Sequence, residues 1–363
     1  GTPPFLRILT ASCSGFTRIN RLVNRESMLE KPELEDQKII DCLRREFGLE
    51  VEAIAFLPLG ADQNTAVYRA GGGGGRDYFV KLRRGAFAEA SVAVPKYLAD
   101  QGIGHIIPPL ATRAGRLWAG LPPFKLILYP YVEGRDGFER NLSDRQWVEF
   151  GAALKRFHGA HIPAAITRGL PREDFSPRWR DSTRRFLERI RRESFADPAA
   201  AQAAAFLSSK RDETLDLVAR AERLARSLLA QPPAFMVCHA DMHAWNLLVT
   251  KGGDFYIVDW DTLMFAPRER DLMFIGAGLG GRGHTPQEEE ALFYQGYGPT
   301  RIDPAALAYY RYERIVEDIA VFCEQLFLSD EGGEDRFQSL GYLKSNYLPG
   351  GTIELARQAD GTS

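Results

Sequence analysis

The 363 residues carry 46 Lys and Arg against 48 Asp and Glu, for a net charge of −2. With 45% hydrophobic and 26% charged residues, this is the composition of a globular protein, and it excludes a nucleic-acid partner held by bulk charge. No apolar stretch approaches the roughly 20 residues of a membrane span, so no membrane contact is expected. The four cysteines, Cys13, Cys42, Cys238 and Cys323, are scattered without a CxxC pair, the pattern of free thiols in a reducing, cytoplasmic setting.

Residues 1–27 contain neither an initiating Met nor a secretory apolar segment and are expected to be an N-terminal extension outside the core. Beyond Met28, Ile39, Ile40, Leu43 and Phe47 recur at helical spacing. "VEAIAFLPL", "TAVYRA" and "DYFVKL" then read as three strands. The run Gly71 to Gly75 lies between the second and third. Ordering five glycines on a phosphate is entropically costly, so an exposed hairpin turn is expected there. "FAEASVAVPKYLADQG" predicts a helix, kinked or broken at Pro95. "GRLWAGL" and "FKLILYPYV" complete five strands, giving a strand-rich lobe over 28–132 and a linker over 133–142.

The pattern turns helical over 143–350. Ser143 and Gln146 form a capping box ahead of "DRQWVEFGAALKRFHGA", where Trp147, Phe150, Leu154 and Phe157 share one face. "SPRWRDSTRRFLERIRRE" and "RDETLDLVARAERLARSLLA" are further helices, and "ALAYYRYERIVEDIAVFCEQLFL" reads as a long terminal one. "AFMVCHADMHAWNLLVT" and "DFYIVDWD" interrupt them with short strands around a loop. "IGAGLGGRGH" holds a G-x-G-x-x-G pattern but joins no strand to a helix, so it reads as a loop rather than a dinucleotide site. The whole is an α+β architecture.

The chemistry concentrates in "HADMHAWN", which gives His239, Asp241 and Asn246, and in Asp259 of "IVDWD". Phosphoryl transfer needs few protein groups, but in fixed places. One carboxylate orients and deprotonates the acceptor hydroxyl; a second carboxylate and an amide oxygen suit Mg²⁺, which prefers hard oxygen ligands. Asp241, Asp259 and Asn246 supply that set.

These residues, with "LGADQNTAVYRA", "YFVKLRRGAFAE", "SPRWR", "DWDTLMFAPRERDLMFIG" and "YYRYERIVEDIAV", resemble the aminoglycoside phosphotransferase family, in particular its spectinomycin phosphotransferase branch. The resemblance implies a bilobal protein-kinase-like fold and an ATP-dependent O-phosphotransferase, with GTP also admitted as donor. It implies Asp241 as catalytic base, with Asn246 and Asp259 as Mg²⁺ ligands. Lys81 would contact the α- and β-phosphates, and Glu89 would pair with it. Gly60, Asp62 and Asn64 would lie in the loop covering the phosphates. Backbone at Tyr129, Tyr131 and Val132 would grip the adenine. Ala240 where protein kinases have Arg, "DWD" in place of DFG and the missing A-P-E disfavour a protein kinase. His239 and Asp271 read as structural supports of the catalytic loop.

Such an acceptor is a cationic aminocyclitol, so an acidic pocket is expected, and residues 239–340 carry 18 acidic against 8 basic side chains. Asp261, His243, Glu313, Glu317 and Asp318 are the acceptor candidates, the last three on one helix. Antibiotic resistance would follow from the modification. A small-metabolite kinase of the same fold (choline, homoserine or a sugar amine as acceptor) and a nucleotide-binding pseudokinase are the alternatives. The chain is expected to be a monomer or weak dimer.

Overall fold

In the segment Arg76–Arg84, Val80 and Leu82 are fully buried, whereas Phe79, Lys81 and Arg83, alternating with them, keep some exposure on the other side. That period of two gives the strand one core face and one functional face. Leu126 and Leu128 of the neighbouring strand join Val80, Leu82, Tyr68, Ile39 and Leu43 in a single apolar cluster. Each large side chain so buried stabilises the fold by about 1.5–3 kcal/mol.

The computed structural model describes residues 31–59, 64–276, 283–328 and 335–361. The expected extension at 1–27, the loop residues Gly60 and Asp62, and most of "IGAGLGGRGH" lie outside the described residues. In chain order the elements begin with α1 (Asp36–Cys42), β1 (Val51–Leu57), β2 (Thr65–Gly72), β3 (Arg76–Arg84), α2 (Ala90–Asp100), β4 (Ala119–Leu121), β5 (Phe124–Pro130), β6 (Gly134–Asp136) and α3 (Asp144–Gly159). After a short helical turn at Ala164–Thr167 come α4 (Arg178–Arg192), α5 (Pro198–Ser209) and α6 (Arg211–Ala230). Next come β7 (Met236–Cys238), β8 (Leu247–Thr250), β9 (Phe255–Ile257) and β10 (Met264–Ala266). The last helices are α7 (Pro286–Tyr297), α8 (Pro304–Phe327), α9 (Asp335–Ser345) and α10 (Thr352–Ala359). None of the described helices is long and apolar enough to cross a membrane.

The described chain divides into two compact units. One comprises Arg25–Glu173 and Ala234–Arg301, the other Asp174–Pro233 and Ile302–Ser363. The division does not follow the boundaries expected at 132 and 143. In the first unit, an antiparallel sheet of order β1-β2-β3-β5-β4 has α2 inserted between β3 and β4. The expected five strands and helix are therefore present. Gly71 and Gly72 of the glycine run extend β2, and Gly73 to Gly75 form the β2–β3 hairpin turn, with Gly74 and Gly75 at φ 78° and 75°. Helix α2 continues through Pro95 rather than breaking, because the lost backbone bond is offset by burial of Val92, Val94, Pro95 and Leu98. Within the expected linker, β6 pairs with β8, Gly134 facing Thr250 and Asp136 facing Leu248.

Helix α3 opens with the expected Ser143–Gln146 capping box. It packs on α7, which has its own box at Thr285 and Glu288. The two helices touch backbone to backbone. A Cβ on Gly296 would overlap the Val148 carbonyl, and one on Gly151 the Phe293 carbonyl. In the second unit, α8 packs against α4, α6, α9 and α10. It is not terminal, since α9 and α10 follow it. Cys42, Cys238 and Cys323 are buried free thiols.

Gly296→Val should therefore force α3 and α7 apart and cost at least about 3 kcal/mol. Urea denaturation is the check, with the expected result a lower midpoint at similar slope.

Candidate active site

The loop between β7 and β8 folds on its own backbone. The His243 amide donates to the Asp241 carbonyl at 3.1 Å and the Asn246 amide to the His243 carbonyl at 3.0 Å, closing a short helical turn at Ala244–Asn246. Asn246 is buried, and its Nδ2 donates to the Asp241 carbonyl at 2.8 Å. That bond fixes the amide, so Oδ1 is the atom available to a ligand. Asp241 Oδ2 lies 3.1 Å from His243 Nε2 and 3.3 Å from Asn246 Nδ2.

Strand pairing brings the second carboxylate alongside. Leu247 pairs with Ile257, and the Val258 amide donates to the Asn246 carbonyl at 3.0 Å. Asp259 follows in the left-handed conformation, φ 61° and ψ 63°, a costly state for a residue with a side chain. Trp260 then turns inward, its indole N–H donating to the Ile257 carbonyl at 3.1 Å and its ring edge-on to His239.

Asp271 supports the loop from beneath. It has no exposure, and it accepts from the backbone amides of His239 at 2.9 Å and Ala240 at 2.6 Å. His158 Nε2 lies 3.0 Å from its carboxylate, and His158 Nδ1 lies 2.7 Å from the Tyr297 hydroxyl. Burial alone would raise the Asp271 pKa, but the His158 hydrogen bond and charge and the amide donors hold it below the ordinary 3.8. His239 is itself a support: its Nε2 donates to the Val258 carbonyl at 3.0 Å, tying the loop to β9.

Lys81 stands on the face of β3 opposite the apolar cluster. Its Nζ lies 2.9 Å from Asp259 Oδ1 and 2.8 Å from Asp261 Oδ2. Burial favours loss of its proton, but the two carboxylates outweigh that and hold its pKa above the usual lysine value. Asp259 is pulled the opposite way: against the desolvation it suffers, Lys81 lowers its pKa. Among the described residues the ion-pair partners of Lys81 are thus Asp259 and Asp261 and not Glu89, which is exposed at the start of α2. Arg83, two residues along the same face and not anticipated from the sequence, donates to Asp261 at 3.1 Å and to Thr65 Oγ1 at 2.9 Å. Tyr129 lies across from Phe79 on that face, and burial pushes its hydroxyl up to about 12.

Other expected residues lie around this centre. The Asn64 carbonyl accepts from the Arg84 amide at 2.8 Å. Tyr131 and Val132 follow β5 half-buried, with the Arg69 guanidinium 4.5 Å over the Tyr131 ring. Glu313, Glu317 and Asp318 belong to the second unit. There Glu313 is buried and 2.9 Å from Arg180, Asp318 is 3.0 Å from Arg314, and Glu317 is half-exposed.

A base-type carboxylate, an oxygen pair suited to a divalent cation and a buried lysine, set on this sheet and loop, define a phosphotransferase. Residues 55–310 match the phosphotransferase enzyme family, and the chain belongs to that family. Among solved structures, it is similar to spectinomycin phosphotransferase APH(9)-Ia bound to ADP and spectinomycin, at 35% identity and a TM-score of 0.83, covering 91% of this chain and 99% of the other. An aminoglycoside phosphotransferase from Alicyclobacillus acidocaldarius shares the fold at 16% identity, with a TM-score of 0.61 over 93% of this chain and 100% of the other. Protein StrN of Streptomyces griseus is 30% identical over 271 residues, 71% of this chain and 78% of that protein. The expected α+β, protein-kinase-like fold is thereby borne out.

Replacing Asp271 by Asn removes the charge that two amides and His158 address, and should cost about 3 kcal/mol at neutral pH. The Asp271 carboxyl is held below its unfolded value, so its contribution is present above 3.8 and is lost as pH falls through the folded value. Chemical denaturation at a series of pH values should show the gap between wild type and Asp271→Asn at full size at pH 7 and narrowing below 3.8.

Proposed function

We propose that the chain is an ATP-dependent O-phosphotransferase that modifies a hydroxyl of a cationic aminocyclitol, spectinomycin first among them, and so confers antibiotic resistance in the cytoplasm. The observation that carries this reading is the gathering of Asp241, Asn246, Asp259 and Lys81 within one compact unit. The likeness to APH(9)-Ia supports the acceptor class.

The Asp241 carboxylate takes the acceptor proton as the hydroxyl oxygen bonds to the γ-phosphorus and the β–γ bridging bond breaks, leaving ADP. Asn246 and Asp259 offer the amide and carboxylate oxygens that fit Mg²⁺, and they would hold it. When bound, the ion supplies positive charge that offsets the charge of the phosphates. Lys81 exchanges part of its carboxylate contact for the α- and β-phosphates, keeping one buried cation matched by anions in both states. The chain over Tyr129, Tyr131 and Val132 receives the adenine. Asp261 and His243, in the same unit as Asp241, stand beside the reacting centre for the acceptor. Glu313 serves α8 through Arg180 rather than as a free anion.

Mg-ATP supplied with spectinomycin should give acceptor-dependent ADP release. A wild-type protein that turns over no faster with spectinomycin than without it would refute that assignment, and a panel of choline, homoserine and sugar amines would then identify a metabolite kinase. Asp241→Ala should lower kcat by about 10²–10⁴-fold while ATP binding is retained. A fully active Asp241→Ala would rule out the mechanism.

A further inference from the structure

Trp245 is 44% exposed, whereas Trp147 and Trp260 are 1% and 6% exposed. It sits in the helical turn Ala244–Asn246, one residue before the amide proposed to hold the metal. An indole left this open beside a reacting centre presents an apolar face to whatever enters. Its position is fixed. Its ring packs against Phe138 with centroids 4.5 Å apart and meets His243 edge-on at 5.5 Å. His243 in turn is edge-on to Phe274 at 5.6 Å, and its Nε2 is 3.1 Å from the Asp241 carboxylate. One imidazole therefore separates the indole from the catalytic oxygen.

The support behind it is built rather than incidental. Asp136 Oδ1 accepts from the Phe138 amide at 2.8 Å and the Glu139 amide at 3.0 Å, which shapes the turn carrying Phe138. The Gly137 amide then donates to the Ala244 carbonyl at 2.9 Å, stitching that turn to the catalytic loop. The stitch requires glycine, since a Cβ at 137 would lie 2.9 Å from the Ala244 carbonyl oxygen. Phe138 and the β6 segment thus hold Trp245 in place.

We propose that Trp245 is an acceptor-specificity residue: its indole is the wall against which a protonated ring amine packs while the hydroxyl reaches Asp241. This deepens the function proposed above and rests on it. An aromatic face attracts an ammonium through its π electrons, and apolar contact accommodates the C–H face of a saturated ring. The Asp241 carboxylate, one imidazole away, adds a negative charge to the same region, which favours a cationic polyol over a neutral sugar.

The test is steady-state ADP release with Mg-ATP and spectinomycin for wild type, Trp245→Ala and Trp245→Phe. Trp245→Ala should raise the KM for spectinomycin about tenfold while the KM for ATP moves by less than about twofold. Trp245→Phe, which keeps an aromatic face, should stay within about threefold of wild type. An active wild type with an unchanged spectinomycin KM in Trp245→Ala would overturn the proposal and leave the phosphotransferase reading standing. So would equal losses for ATP and spectinomycin, because they would mark a collapsed loop. A wild type that releases no ADP with spectinomycin or any hydroxylated amine would overturn the functional reading, and this inference with it.

Discussion

One buried carboxylate governs the geometry of the catalytic loop. Asp271 accepts from two successive amides, at His239 and Ala240, and the second belongs to a residue at φ 69° that alanine rarely adopts. The strained backbone is held because the alternative leaves a buried charge without its donors. His158 and Tyr297 extend the support to α3 and α7. Those helices approach closely enough for the Tyr297–His158 bond because Gly151 and Gly296 allow backbone contact. Helix packing, a hydrogen-bond chain and the placement of Asp241 are therefore one continuous constraint.

The second organising interaction is electrostatic. Lys81 is more than four-fifths buried, and a lone ammonium there would lose its proton or destabilise the fold. Asp259 and Asp261 prevent both, and Arg83 shares the charge of Asp261. The sheet and the β8–β9 hairpin are thus held by the same charges that the proposed chemistry uses. On the proposed function, such a site would change partners when a phosphate arrives, rather than acquire an uncompensated charge.

What could be read from the chain follows the range of the interaction. Asp241 and Asn246 are five residues apart in one loop, and their relation is visible as a motif. Ser143 and Gln146 announce α3 for the same reason. Lys81 and Asp259 are 178 residues apart, so their pairing depends on a fold that no local pattern encodes. Expecting Glu89 as the partner of Lys81 rested on resemblance, whereas β3 aims the lysine at the hairpin. Strand β6 was missed because "GRD" has no apolar alternation, and its pairing is set by β8 instead. The buried side chains of α8 were legible as an apolar pattern. That Glu313 is occupied by Arg180 was not, since an acidic side chain on a helix looks alike whether it faces a partner or water.

The β2–β3 turn carries a different kind of consequence. A side chain at Gly74 or Gly75 would meet nothing within 4 Å, and what these positions demand is left-handed backbone. The turn lies at the end of the ladder away from Lys81: Gly72 pairs with Arg76, while Lys81 pairs with Val67 five rungs further on. The tip of this hairpin is therefore the place where the chain tolerates inserted sequence, and a tag or reporter carried there would leave the charged face of the sheet untouched.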